Sequence, residues 1–465
     1  MIQWAIYSYV VLQIVIGIIS SKNMKDDEDF ILAGRTLGLG MATLTIFATW
    51  FGAEAVVGTA GAVYEKGLSA AGADPFGYAL ALVLMGFFFA HKLRKRGFVT
   101  LGDLFSREFG PRVERLAILL IIPGPIIWGS AQIAAFGKVM SDVSQISTDL
   151  AILIAAVAVI AYTMIGGLRA SAITDTIQGI IMIAGLIILT VIMIHHAYQQ
   201  EITIEPIRLT FWSSDESWID HIETWSVPIF GTLVAVELIS RVLACQTPKV
   251  AAQAAVLGGG LYLLIGILPV IVGLIAPSLI TQAPADSEAI VPFLAKTYLH
   301  FPNFIIPQLA YVLFVGALIS AILSTVDSVL LAGASMISHH LSQHFTLLSH
   351  HQYKLLTVRV CVLLIGIISY ALALHADRIK DLVELASSFG SSGLFPVLCF
   401  GLFSSVGGTY SAIVSLLSGL VLWLSFTFLE LQAPYILSLL GASCMYMITA
   451  YLLKEKRMSN SYHQG

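Results

Sequence analysis

Residues 311–338, YVLFVGALISAILSTVDSVLLAGASMIS, make one long apolar segment with a stripe of oxygen-bearing side chains along it. Ser320, Ser324 and Ser328 recur every four residues, and Thr325 and Asp327 flank them. Crossing a bilayer core takes about 20 predominantly apolar residues of helix, which this segment supplies. Helical spacing then puts the three serines on one face. Hydroxyls and a carboxylate are costly in hydrocarbon, so they are expected to face the protein interior and to mark an ion or substrate path. Hard cations such as Na⁺ are held by oxygens. The plainer alternative is that serine and threonine bond their own i−4 carbonyls or glue helices together. That explains one hydroxyl better than four on one face beside an aspartate.

The rest of the chain agrees with a membrane setting. Of 465 residues, 57% are hydrophobic and only 11% charged, where a soluble domain carries about 25% charged residues. This composition predicts a polytopic, all-α membrane protein with no room for a soluble domain. The four cysteines, Cys245, Cys361, Cys399 and Cys444, lie in or at the ends of apolar spans and match no metal spacing or disulfide framework. The first residues, MIQWAIYSYVVLQIVIGIIS, have neither a basic leader nor a small-residue cleavage site, so a retained first span is expected.

Hydropathy predicts thirteen spans, at 2–20, 38–62, 73–90, 115–140, 147–165, 172–195, 223–244, 250–276, 304–338, 354–374, 380–400, 408–429 and 432–452. An odd number puts the termini on opposite sides. With the N-terminus outside, 18 of the 24 basic residues fall on the inner side. The positive-inside rule therefore orients the chain N-out and C-in. The loop 91–114, HKLRKRGFVTLGDLFSREFGPRVE, is then a basic cytoplasmic anchor. The acidic and aromatic loop 196–222 lies outside, where short interfacial helices would hold Trp212, Trp218 and Trp225 at headgroup level. His339, His340, His344, His350 and His351 cluster after the ninth span. No Cys/His spacing accompanies them, and a solvated face is the expectation.

Two spans look broken. The second contains Gly52, Gly58 and Gly61 with Glu54 among them, and the seventh contains Pro228, Gly231 and Glu237. Glycine weakens a helix and permits unwinding there. Unwound backbone inside a membrane is tolerated only where it is buried or lines a cavity. The two broken spans stand five apart. Residues 38–195 and 223–400 can therefore be two inverted five-helix repeats within one transporter domain, 1–465, with an extra span at 2–20 and two more at 408–452. The repeat is inferred from hydropathy and glycine placement.

Three separated motifs make the chain resemble the sodium:solute symporter family. They are AGRTLGLG at 33–40, YTMIGGLRASAITDTIQ at 162–178 and AILSTVDS at 321–328. Within that family it looks most like the high-affinity choline transporter branch, through ATWFGAEAVVGTAGAVY at 48–64, GYALALVLMGFFFA at 77–90, KRGFVTLGDLF at 95–105 and GTYSAIVSLLSGL at 408–420. The resemblance covers nearly the whole chain. It implies a LeuT-type fold with Na⁺ between spans two and nine. Carried over, the sodium ligands are the carbonyls of Ala48, Phe51 and Ala321 and the hydroxyls of Ser324 and Thr325. Unwound backbone and an adjacent hydroxyl pair are suitable donors. Asp175 matches the acidic position of the family's second sodium site, and Asp327 and Ser328 stand where some relatives carry further ligands. By its own neighbourhood, Asp175 would equally serve as a helix cap after the GG turn.

The resemblance also implies an aromatic cage for substrate. A quaternary ammonium has no N–H to donate and is held by cation–π contacts. Trp50, Tyr78 and Trp128 match the cage of the choline branch, but Ala235 stands where that branch carries a fourth tryptophan. Glu237, two residues on, would add a carboxylate for a cationic substrate, or would simply pair with Arg241 at i+4.

The expected function is Na⁺-coupled symport of a small organic solute such as choline, with an amino acid such as proline, another zwitterion or an organic acid as the alternative. A proton-coupled carrier using Asp175 or Glu54 is a further rival. A membrane sensor would need an output domain, and KEKRMSNSYHQG after the last span offers none. No hydrolase or metalloprotease motif lies in the spans, so neither an enzyme nor a catalytic residue is expected. The expected partners are a small-molecule substrate, Na⁺ as co-transported ion and the lipid of a plasma or inner membrane, with no cofactor and no nucleic acid.

Overall fold

The computed structural model describes residues 8–9, 11–12, 15–16, 19, 27–144, 146–212, 217–280, 284, 286–299, 305–345, 351–376 and 378–455. These are mostly helical, and Leu37 and Cys245 form an isolated β-bridge. In chain order the helices are α1 (Asp27–Leu32), α2 (Leu39–Trp50), α3 (Glu54–Lys66), α4 (Leu68–Lys95), α5 (Leu101–Phe109), α6 (Pro111–Ser141) and α7 (Thr148–Gln199). They continue as α8 (Trp218–Val234), α9 (Val236–Ala244), α10 (Pro248–Leu279), α11 (Ile290–Leu299) and α12 (Ile305–His344). The last five are α13 (His351–Ala373), α14 (Ile379–Ser388), α15 (Ser391–Phe403), α16 (Thr409–Phe428) and α17 (Pro434–Leu452).

Eight helices are long and apolar enough to cross a membrane, or up to eleven if each of three bent pairs is one span. The predicted spans 147–165 and 172–195 are both in α7, which turns at Gly167 (φ 59°) rather than at a loop. A positive φ is a glycine conformation, so one residue redirects the chain without polar linker. Of the predicted span 2–20, only Ser8, Tyr9, Val11, Leu12, Val15, Ile16 and Ile19 are described; the remainder lies outside the described residues. In the loop 196–222, α7 reaches Gln199 and one short helical turn, Pro206–Leu209, follows. Residues 213–216 of that loop lie outside the described residues.

The breaks differ from expectation. The α2–α3 pair bends 62° around Gly52, within the predicted region. A Cβ on Gly52 would come within 2.5 Å of a Glu54 carboxylate oxygen and 2.9 Å of Thr325 Oγ1, so only hydrogen fits among those polar groups. The α8–α9 pair bends 46° at Ala235, which is extended (φ −69°, ψ 126°), and not at Pro228 or Gly231. Gly231 serves close packing instead: a Cβ there would sit 2.4 Å from the Ser387 carbonyl oxygen. The predicted unbroken span 380–400 is a third bent pair, α14–α15, with a 42° turn at Gly390 (φ 71°).

Helix ends in this fold are satisfied across the chain. Glu288 accepts from the Ile379 and Lys380 N–H groups, both at 3.1 Å, at the start of α14. Glu223 accepts from Tyr435 N at 2.6 Å and Ile436 N at 2.9 Å at the start of α17. Glu455 accepts from Tyr410 N and Ser411 N, at 3.1 and 3.0 Å, at the start of α16. Free N–H groups and the positive end of the helix dipole favour a carboxylate at each place. Arg208 does the converse for α3, donating to the carbonyls of Val63 at 2.9 Å and Tyr64 at 2.7 Å.

Candidate functional site

Trp50, just before the break at Gly52, and Ala235, at the other break, line one partly open cavity of about 50 Å³. Trp50, Tyr78, Trp128, Ala235, Glu237 and Ser387 line it. The four residues predicted to bind substrate, Trp50, Tyr78, Trp128 and Glu237, are thus brought together, although they come from α2, α4, α6 and α9. Trp50 and Trp128 pack edge to face, with ring centroids 5.1 Å apart and planes at 71°. The Trp50 indole N–H is buried without a partner. The Tyr78 hydroxyl lies 3.2 Å from Ser387 Oγ at the end of α14.

The cage walls are fixed by residues that sequence reasoning did not assign to the site. Trp128 Nε1 donates to Glu54 Oε1 at 3.1 Å, and Gln132 Nε2 donates to Glu54 Oε2 at 2.6 Å. Gln132 Oε1 in turn accepts from Ala53 N at 3.0 Å, at the buried start of α3. Glu54 therefore satisfies both oxygens while it sets the Trp128 ring. The available signal was an acid inside a broken span and a glutamine four residues after Trp128, one helical turn on. Close by, Tyr262 donates to Asp74 Oδ1 at 2.9 Å, and Asp74 Oδ2 is buried without a partner.

Glu237 faces the cavity and does not pair with Arg241. Arg241 Nη1 donates to the backbone carbonyl of Glu237 at 3.1 Å, and the ion pair of Arg241 is with Asp175 at 3.6 Å. The i+4 pairing expected from sequence is overridden because Asp175 approaches from α7 in the tertiary fold.

At the residues carried over as sodium ligands, α12 lies against the end of α2. Ser324 Oγ is 2.8 Å from the Ala48 carbonyl oxygen and 3.0 Å from that of Ala321. Thr325 Oγ1 is 3.1 Å from the Ala321 carbonyl oxygen. Phe51, the fifth residue, ends α2 with φ −88° and ψ 70°, beside Gly52 and hence beside Thr325. All five residues are buried. A helix end that stops hydrogen-bonding to itself next to two hydroxyls is a concentration of oxygen dipoles, chemically suited to a small cation.

Asp175, Asp327 and Ser328 belong to a second buried cluster. Asp175 is not a helix cap: it lies within the continuous helix after the Gly167 bend and accepts from Thr45 Oγ1 at 2.5 Å. Arg241 Nη2 donates to Ser171 Oγ at 3.3 Å and to Ser328 Oγ. Ser328 Oγ also lies 3.1 Å from Thr49 Oγ1. Asp327, buried next to Ser328, is within electrostatic range of Arg241. Two carboxylates and one guanidinium thus share a site without exposed side chains. The stripe of hydroxyls on α12 connects this cluster to the Ser324–Thr325 pair through Ser328 Oγ, which is 2.6 Å from the Ser324 carbonyl oxygen.

Membrane-length helices broken around a common cavity define a secondary transporter with the LeuT-type fold. Among solved structures, a Na⁺-coupled sialic acid symporter, in a substrate-bound outward-open state, superposes with a TM-score of 0.84 over 98% of each chain at 16% identity. The sodium:solute symporter family profile matches residues 30–419, and the chain belongs to that family. It is 28% identical to the high-affinity choline transporter 1 of Caenorhabditis elegans, covering 90% of this chain and 76% of that protein. It is 26% identical to the sodium/proline symporter of Salmonella typhimurium, covering 91% of this chain and 88% of that protein.

Proposed function

We propose that this protein is a Na⁺-coupled symporter for a small organic cation, a quaternary amine such as choline. The observation that carries the reading is the convergence of Trp50, Tyr78 and Trp128 on one cavity with the Glu237 carboxylate. Aromatic faces attract a methylated ammonium, which offers no hydrogen-bond donor, and each face contributes about 1–2 kcal/mol when desolvated. The similarity to choline transporters supports the same substrate class.

In this reading Na⁺ is held by Ala48, Phe51, Ala321, Ser324 and Thr325. It would tie α2 to α12 and favour the state open to the outside. Solute would bind at the breaks, and rocking of one inverted repeat, 38–195, against the other, 223–400, would carry both inward. The membrane potential contributes about 2.3 kcal/mol per charge per 100 mV. A second cation is assigned to Asp175, Asp327 and Ser328. With both acids ionised, Arg241 leaves one negative charge there, which suits a single Na⁺ or a proton. The orientation is N-out and C-in in the plasma or inner membrane, and a reporter fused after Lys456 would read as cytoplasmic.

An amino acid or other zwitterion is the second reading, favoured by Ala235 at the cavity wall. A small side chain there leaves room that a fourth ring would fill. Thermal-shift and direct-binding measurements with choline, betaine and proline, with and without Na⁺, test both readings. Choline stabilisation that requires Na⁺ supports the first. Binding of proline but no quaternary amine at millimolar concentration in saturating Na⁺ replaces it with the second.

A further inference from the structure

The last turns of α12 carry His340 and His344, one helical turn apart, with ring centroids 4.3 Å apart. Facing them is Glu114, in the first turn of α6 and only 1% exposed. Its Oε1 is 2.8 Å from His340 Nδ1, while its Oε2 is buried without any partner. One ligand atom from each of the three residues lies within 4.8 Å of the other two. His344 Nδ1 sits 3.0 Å from the His340 carbonyl oxygen. That hydrogen bond fixes the ring and leaves Nε2 as the nitrogen for a ligand, the usual outer support of a metal-binding histidine.

We propose that Glu114, His340 and His344 form a binding site for a divalent transition metal of the zinc class. Two imidazoles at i and i+4 with a carboxylate are a set that takes Zn²⁺, Ni²⁺ or Cu²⁺ in preference to Mg²⁺ or Ca²⁺. A simple Glu114–His340 hydrogen bond leaves the buried Oε2 without a partner, whereas one cation held with the two imidazoles serves it. Three protein ligands leave a coordination position for water. The bound ion would join the start of α6 to the end of α12 and so stabilise this corner of the fold. The site is separate from the sodium and substrate residues, and the proposal does not depend on the transported solute. His339, adjacent on the helix, is engaged elsewhere, with Asp103 at 3.0 Å.

The test uses the full chain in detergent, with any polyhistidine tag removed and metal stripped by chelator. Zn²⁺ is titrated against a fluorescent zinc indicator, and thermal stability is followed with and without Zn²⁺. The expected result is one ion per chain with a Kd of about 10 µM or tighter, weakened at least roughly tenfold by His344→Ala and by His340→Ala. His344 is exposed, so its replacement leaves the fold intact. Zn²⁺ should raise the thermal midpoint of the wild type but not of His344→Ala. A variant with His350, His351 and His463 all changed to alanine should bind as the wild type does. Absence of binding below about 100 µM, unchanged binding in His344→Ala, or loss of binding on replacing the three other histidines overturns the proposal.

Discussion

The Arg241 guanidinium lies 3.6 Å from the Asp175 carboxylate, and neither side chain is exposed at all. The pair joins α9, the half-helix beyond the Ala235 break, to the long helix α7. It also reaches the α12 hydroxyl stripe through Ser328. Removing one member of a buried pair leaves the other charged and unsolvated. Arg241→Met should therefore destabilise the protein by about 3–5 kcal/mol, read as a lower thermal or denaturant midpoint in detergent. Combining it with Asp175→Asn should recover part of that loss, because Asp327 is then the one carboxylate of the cluster left without Arg241, instead of two. Equal instability of the single and double variants would count against the coupling.

Sodium affinity should depend on Ser324 and Thr325. Both hydroxyls lie within hydrogen-bond distance of carbonyls at the end of α2 or on α12 itself. Replacing both by alanine should raise the Na⁺ concentration for half-maximal binding or uptake roughly tenfold, equivalent to about 1.4 kcal/mol. Unchanged sodium dependence at normal expression would remove these residues from the ion site.

Substrate binding should depend on the Trp50 ring. Trp50→Ala is expected to weaken quaternary-amine binding roughly ten- to thirtyfold, and Trp50→Phe should retain part of the affinity because a π-face remains. Radioligand or calorimetric binding in saturating Na⁺ measures both. If Phe and Ala at this position lose equally, ring-face recognition is not the source of the affinity.

Glu54 should act on the substrate through Trp128. Glu54→Gln keeps the shape but replaces one carboxylate acceptor by an amide donor beside Gln132 and Trp128. Leaving a buried donor of Trp128 or Gln132 without its acceptor should loosen the ring, costing roughly 1–3 kcal/mol of stability or affinity. A conservative Glu54→Asp variant, too short to reach both partners, should fall on the same side. Full wild-type binding in both variants would assign Glu54 no positioning role.

The carboxylate of Asp103, in the first turn of α5, gives a pH-dependent prediction. Burial would raise its pKa, but the hydrogen bond and charge of His339 and the Thr100 and Val99 N–H groups outweigh it and bring it from 3.8 to about 2. A depressed folded-state pKa stabilises above the unfolded value of 3.8 and loses that stabilisation as pH falls through about 2. Asp103→Asn should cost about 2 kcal/mol near pH 7. The difference from wild type should shrink as the pH falls below about 4, as thermal denaturation across that range will register.

The composition, the apolar runs and the four-residue rhythm of serines on α12 determined by themselves that this chain is a helical membrane protein with a polar track inside it. Those are local properties: hydrophobicity and helical period are carried by neighbouring residues and need no knowledge of the fold. Matched motifs likewise named Trp50, Tyr78 and Trp128, which the fold brings to one cavity, and the Ser324–Thr325 pair, which it sets against the end of α2. The tertiary structure decided the rest. It placed the second break at Ala235 instead of Gly231, since Gly231 is required for contact with Ser387 and Ala235 is where the chain turns around the cavity. It added the turn at Gly390. It gave Arg241 to Asp175 instead of Glu237, leaving Glu237 at the cavity, and it joined Glu54 to Trp128 and Gln132. Each of these pairs residues far apart in sequence, or weighs a local preference against a distant contact. Side-chain charge and helical spacing name the candidates for such contacts, but only packing of the helices brings one partner within reach and holds the others away.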